Sequence, residues 1–353
     1  GDSWFGRKID HHSPGEQAPA INWSSLENKR ILGTVPVEAD GSAYFEAPAN
    51  TFLYFQLLDA EGRMLQTMRS GTIVQPGEAQ GCIGCHENRT GDIPAVNTKV
   101  AAMRREPSKL DGFHGPARLF DYQREVQPIF DKHCIRCHDY EGPGGQKLVL
   151  AGDRTIPFCR SYTALWVGKY TAAIGAGRSD FIPAMTWGSR VSKLNRVIRS
   201  GHNGIRLSAR EMDTLTAWED LNAPYYGTYD SAYTGTRFGR TPLDKEELKT
   251  LEKLLGPVTD DCAPGAISLD RPERSPALRK LKAGTPDYDS ALALLKTAQT
   301  RLKEKPRGDM PGFKPDARYQ AMLDKNTLLE TEAERVRVAL ESGRKVYDPG
   351  IVP

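Results

Sequence analysis

Two short motifs constrain this chain more than any other feature: Cys82-Ile83-Gly84-Cys85-His86 and Cys134-Ile135-Arg136-Cys137-His138. In each, two thiols sit about one helical turn apart and a histidine follows the second directly. Thioether bonds to the two vinyl groups of one haem edge require that spacing, and the adjacent imidazole is then placed under the ring to reach iron. From six cysteines and seven histidines in 353 residues, chance supplies such a motif roughly 0.002 times per chain. Two alternatives compete. One zinc held by both pairs leaves the repeated histidine unexplained. A dithiol redox motif needs a βαβ context that the sequence lacks. The motifs therefore predict two covalently bound c-type haems. Cys82, Cys85 and His86 hold the first, and Cys134, Cys137 and His138 hold the second. Covalent haem attachment takes place outside the cytoplasm, so a periplasmic or otherwise extracytoplasmic location goes with it. Cys159 and Cys262 then remain, either as a disulfide or as buried thiols.

Composition removes several other classes. Lys plus Arg number 48 against 45 Asp plus Glu, and a dispersed surplus of +3 gives no basic surface for nucleic acid. No stretch approaches the roughly 18 apolar residues of a membrane span. Hydrophobic residues at 39% leave enough apolar material for packed cores. No nucleotide fingerprint, phosphate loop or Ser/His/Asp arrangement stands out.

The pattern along the chain predicts an α+β multidomain protein. Residues 1–28 carry no clear period and read as an N-terminal arm. A small antiparallel β domain carrying one haem is expected over 29–95. Its strands are Ile31 to Val37, Ser42 to Phe45, Phe52 to Leu58, Arg63 to Arg69 and Ile73-Val74, with turns at Asp40-Gly41 and Asp59 to Gly62. Residues 96–117 read as a linker. A helical cytochrome c domain is expected over 118–236. It holds a helix from Phe120 to Cys137 that starts or kinks at Pro128, one over Val191 to Ser200, and one behind the capping box Ser208-Ala209-Arg210-Glu211. Residues 237–353 form a helical C-terminal region, with helices over Leu243 to Leu255, Tyr288 to Lys305 and Glu330 to Ser342. Asp244, Glu246 and Glu247 are expected on a solvated helix face.

Several blocks resemble a known family. Lys29 to Phe45, Met68-Arg69-Ser70, Gln75-Pro76-Gly77-Glu78 and the first motif are similar to the middle domain of the hydrazine synthase alpha subunit and its relatives. Val126-Gln127-Pro128-Ile129-Phe130-Asp131-Lys132-His133-Cys134 resembles the start of their cytochrome c domain. Asn222-Ala223-Pro224-Tyr225-Tyr226-Gly227 and Asp309-Met310-Pro311-Gly312-Phe313 resemble later blocks. The resemblance implies the same haem architecture, without the propeller-type region that precedes it in the enzyme. There the catalytic haem uses a tyrosine four residues beyond the motif histidine, with zinc nearby; here that position is Thr90. His86 is therefore expected as an ordinary proximal ligand.

His138 is the expected proximal ligand of the second haem. In related cytochromes the distal ligand often precedes the last helix, so His202 in Gly201-His202-Asn203-Gly204 is favoured, with Met185 in Pro183-Ala184-Met185 as its rival. For the first haem, His114, His11 and His12 are candidates, and an open sixth position is the alternative. Met64 and Met68 read as strand core residues, and His133 as a surface or propionate-contacting residue. Tyr225, Tyr226, Tyr229 and Tyr233 either line a haem edge or pack on a loop. The expected function is electron transfer by a dihaem cytochrome with redox partner proteins, other cytochromes or a larger oligomeric complex. The rivals are a hydrazine synthase-related enzyme acting on small nitrogen compounds at the first haem, and a subunit that keeps its haems for assembly.

Overall fold

The computed structural model describes residues 28–68, 71–83, 100–173, 183–228, 230–236, 239–258 and 266–344. An antiparallel hairpin comes first, β1 (Gln56–Leu58) and β2 (Met64–Thr67). Helices follow: α1 (Tyr122–Glu125), α2 (Gln127–His133), α3 (Ile135–His138), α4 (Arg160–Val167), α5 (Lys193–Arg199), α6 (Ala209–Asp220), α7 (Lys245–Leu255), α8 (Pro286–Glu304) and α9 (Ala317–Glu341). The class is α+β. Among the described residues the chain forms two compact units. The larger takes in 28–29, 57–66 and 119–316; the smaller takes in 30–56, 67–118 and 317–344.

The smaller unit has less regular strand than the alternation predicts. The turn at Asp40-Gly41 forms, with Gly41 donating to the Glu38 carbonyl at 2.8 Å and adopting φ 82°. Its flanks find other partners. Gly112 donates to the Leu32 carbonyl at 2.8 Å, and Phe45 forms a parallel bridge with Ser108. The stretch expected as a linker, 96–117, is thus structural where it is described. It contains a 3-10 turn over Ala101–Arg104 with Ala102 fully buried. Asp40 and Ser42 side chains accept from the amides of Ala101 and Ala102 at 2.8 and 3.0 Å. Arg105 bonds Glu38 at 2.8 Å and Ser108 at 2.9 Å. Polar side chains rather than a strand ladder satisfy this backbone, so a reading based on alternation overlooks them. α9 joins this unit and starts well before the expected Glu330. Arg335–Glu332 and Arg337–Glu334/Glu341 pairs at helical spacing line its exposed face, and Arg30 reaches Glu330 at 2.9 Å.

The larger unit is built on an aromatic core. Tyr122, Phe130, Phe158, Tyr162, Trp218, Tyr225 and Tyr226 are essentially inaccessible. Tyr122 touches Tyr162, Trp218 and Tyr225 with ring centroids 5.0–5.5 Å apart. Every polar end in the cluster has an acceptor: Tyr162 donates to the Ala223 carbonyl at 2.7 Å, and Trp218 to Pro224 at 2.9 Å. Tyr225 and Tyr226 are therefore core residues. Pro128 sits in the first turn of α2, where its missing N–H costs nothing, and the expected single helix is broken at Val126 and Cys134. Both α6 and α7 carry complete capping boxes, through Ser208/Glu211 and Asp244/Glu247. α7 buries Leu248, Leu251 and Leu255 and stops at Gly256 with φ 81°. Glu247 also takes a two-pronged bond from Arg301 of α8 at 2.6 and 2.9 Å, so this face is paired as well as solvated.

Glu219 of α6 is fully buried, and burial pushes its carboxyl up to about 8. Ser192 and Asn195 contact it, and the Ser192 hydroxyl also lies 2.8 Å from the Tyr170 carbonyl. A hydroxyl has one proton; if it goes to Tyr170, a protonated Glu219 supplies the other bond. The folded-state value lies above the ordinary 4.5, so the stabilisation is full below about 4.5 and is lost as pH rises through about 8. Unfolding free energy should fall by a few kcal/mol across that window. Glu219→Gln should flatten that fall, leaving the smaller slopes from Asp121, which burial pushes up to about 6, and from Asp220, whose carboxyl burial also raises. Denaturation at pH 5, 7 and 9 checks this; identical slopes in both proteins would contradict it.

A histidine pair at the second motif

The second motif lies where α2 ends and α3 begins. Cys134 keeps the helical bond to Phe130 at 2.8 Å, and the His138 amide donates to Cys134 at 2.9 Å. Cys134 is buried, which pushes its thiol up to about 11, and Cys137 is half-buried. Gly142-Pro143-Gly144-Gly145 then wraps closely round the motif. Gly144 donates to the Cys137 carbonyl at 2.8 Å. A Cβ at Gly144 would stand 2.7 Å from the His138 ring, so the absence of a side chain lets the loop lie against that imidazole. The chain returns so that Leu150 donates to the His138 carbonyl at 2.7 Å, and His138 Nδ1 lies 2.9 Å from the Leu148 carbonyl. A carbonyl only accepts. Nδ1 therefore carries the proton and Nε2 keeps its lone pair, the tautomer a metal needs.

His202 comes from the loop between α5 and α6. Gly201, Asn203 and Gly204 all take positive φ (75°, 49° and 76°), a tight left-handed turn that presents the histidine on the surface. Its ring centroid lies 6.1 Å from that of His138, at an interplanar angle of 39°. Metal–nitrogen bonds of about 2.0 Å on each side, plus the nitrogen-to-centre distances, put two trans imidazole centroids about 6 Å apart. The separation of the pair is of the size that an iron shared between the rings would need. Asn203 Nδ2 stands 3.1 Å from His202 Nε2, a contact that ligation through this nitrogen would replace. Met185, the rival, is half exposed at φ 62°, and its amide donates to the Leu65 carbonyl at 2.8 Å.

Charged residues from a later loop hold the base of the motif. Arg271 grips Asp139, the residue after His138, through two bonds of 2.8 Å, and its Nε reaches Asp153 at 2.9 Å. Arg274 adds a 3.2 Å contact to Asp139. The Arg271 hydrogen bonds hold the Asp139 carboxyl below the usual range. Only a spacing of more than a hundred residues separates these partners from the motif, and sequence reasoning gave no sign of them. Cys159 carries a free buried thiol 3.2 Å from Ser161 Oγ, while Cys262 lies outside the described residues.

Of the first motif, Cys82 and Ile83 are described and exposed. Cys85, His86, Thr90, His11 and His12 lie outside the described residues. His114 is exposed at φ 50°, its ring 4.2 Å from that of Phe113. Among the described residues no group of three or more His, Cys, Asp or Glu is arranged to hold a metal ion.

Comparison with known proteins agrees with the resemblance noted up to the first motif. Residues 5–87 match the family described as the hydrazine synthase alpha subunit middle domain. This span reaches into the stretch read as an arm and ends just after the first motif. The hydrazine synthase subunit alpha of Kuenenia stuttgartiensis is 23% identical over 208 residues, covering 44% of this chain and 26% of that protein. The chain thus spans about a quarter of the length of the curated relative it matches. No solved structure matches. Over residues 5–87, then, this chain is similar to the middle domain of the hydrazine synthase alpha subunit.

Proposed function

We propose that this chain is an extracytoplasmic dihaem c-type cytochrome that transfers electrons within a larger redox assembly. The observation that carries this reading is the His138–His202 pair, 6.1 Å apart, with His138 already oriented by the Leu148 carbonyl. Cys134 and Cys137 would hold the second haem covalently, and the two histidines would fill both axial positions. A bound haem supplies reversible one-electron chemistry. His138 and His202 would then leave no position for a substrate at this iron. Cys82, Cys85 and His86 would hold the first haem. The relative is by name a subunit, which supports partner proteins, and among the described residues no helix is long and apolar enough to cross a membrane.

A second reading, chemistry on small nitrogen compounds at the first haem, draws on the family match, because its span includes the first motif. The two readings separate on ligand access. In the reduced protein, added carbon monoxide or hydroxylamine should react with both haems only slowly, at the pace at which a protein ligand is displaced, if electron transfer is the function. Rapid binding at the first haem would favour the enzyme.

A further inference from the structure

His133 was expected to be a surface or propionate-contacting residue, yet its side chain is only 17% exposed and lies 3.1 Å from Glu211. Glu211 is the third residue of α6 and closes its capping box, with Oε2 accepting from the Ser208 amide and hydroxyl at 2.8 Å each. The other oxygen, Oε1, takes Lys132 Nζ at 2.8 Å and His133 Nε2 at 3.1 Å. One carboxylate therefore spans two places in the fold. It caps the helix that follows the His202 loop, and it binds the last two residues of α2, directly before Cys134. These donors hold the Glu211 carboxyl well below the usual range.

The His202 loop needs such a tie. Gly201, Asn203 and Gly204 are left-handed and residues 201–204 are exposed, so the loop's own packing does little to fix it. Its upstream end is held, because α5 is bonded to α6 through Asn195 and Thr216 at 3.3 Å and through Asn195 and Glu219 at 3.1 Å. Those contacts lock α5 to α6, and Trp218 packs the far part of α6 on Tyr122 of α1, so a shift against α2 and α3, which carry His138, would begin at the start of α6. The Glu211 bonds to Lys132 and His133 oppose that shift at the end of α6 nearest His202.

We infer that Glu211 is a positioning residue for distal ligation: by joining the start of α6 to the end of α2, it holds His202 at ligating distance across from His138. This rests on the proposed haem at the second motif. A helix cap alone would make Glu211 and Ser208 equivalent. A positioning role makes Glu211 and His133 equivalent instead.

The test uses the full haem-loaded chain, with covalent haem content and thermal unfolding confirmed for each variant. The readout is the rate of carbon monoxide binding to the ferrous second haem, identified as the phase that appears in His202→Ala. Glu211→Gln keeps an acceptor for the Ser208 amide but removes the charge that gathers Lys132 and His133. It should speed carbon monoxide binding about tenfold, and His133→Ala should do the same without adding to it. Ser208→Ala should stay within about twofold of the unmodified protein. An unchanged rate in Glu211→Gln, or an equal effect from Ser208→Ala, would overturn the positioning role. An unmodified protein that already binds as fast as His202→Ala would remove the distal histidine itself, and the inference with it.

Discussion

Replacing His202 with alanine should convert the second haem from six-coordinate low spin to high spin, while Met185→Ala leaves it low spin. The expectation follows from position. His202 is the side chain whose ring faces His138 at 6.1 Å, and the left-handed turn at 201–204 presents it. Met185 is held by its backbone at Leu65 and is half exposed. Thioether bonds would keep the proposed haem attached in both variants, so the loss of one ligand would read out without loss of cofactor. Optical spectra of the oxidised and reduced proteins, with and without carbon monoxide, make the comparison. A high-spin Met185→Ala beside a low-spin His202→Ala would transfer the distal role to methionine.

The largest stability effect is expected at Arg307. Arg307 is fully buried and uses its whole guanidinium. It donates to the carbonyls of Thr155, Ile156 and Phe158 at 2.7–2.9 Å and to both oxygens of Asp309 at 2.8 Å. Asp309 in turn accepts from Tyr225 at 2.6 Å, which ties the network to the aromatic core. Burial works to raise the Asp309 carboxyl, and Arg307 overcomes it, holding it down at about 2. Arg307→Ala should cost about 3–5 kcal/mol, because it leaves a buried charge and three carbonyls without their donor. Arg307→Lys should recover little of this, since an ammonium cannot form the planar fork. Equilibrium denaturation at pH 7 measures both; a loss below about 1 kcal/mol in the alanine variant would contradict the network's role.

The sequence makes the local features of this site legible and hides the distant ones. Both cysteine motifs, the Ser208 cap, the Gly256 stop and the place of His202 before a helix can each be read within a few residues. The partners that stiffen the site cannot. Arg271 reaches Asp139 from 132 positions away, Glu211 reaches His133 from 78, and Arg307 reaches Phe158 from 149. Single polar residues carry no period, so no pattern announces them before the chain is folded. The smaller unit misled for the opposite reason. Its apolar alternation over Ile31 to Val37 suggested a ladder, but Gly33 presses within 2.9 Å of the Asp111 backbone where a Cβ would stand, and the pairing goes to the 100–112 stretch. α9 starts at Ala317, ahead of the expected Glu330; Ala333 is its buried residue, and no apolar stripe marks the first turns.

The proposed electron-transfer centre would hold a single iron between His138 and His202 on a haem bound to Cys134 and Cys137. Anomalous diffraction from crystals of the haem-loaded protein, recorded on both sides of the iron edge, tests it most directly. The prediction is an iron peak between the two imidazoles, bonded to His138 Nε2 and to His202, with density continuous to both cysteine sulfurs. No iron at this motif, a zinc signal in its place, or an iron bonded to Met185 with His202 turned away would contradict it.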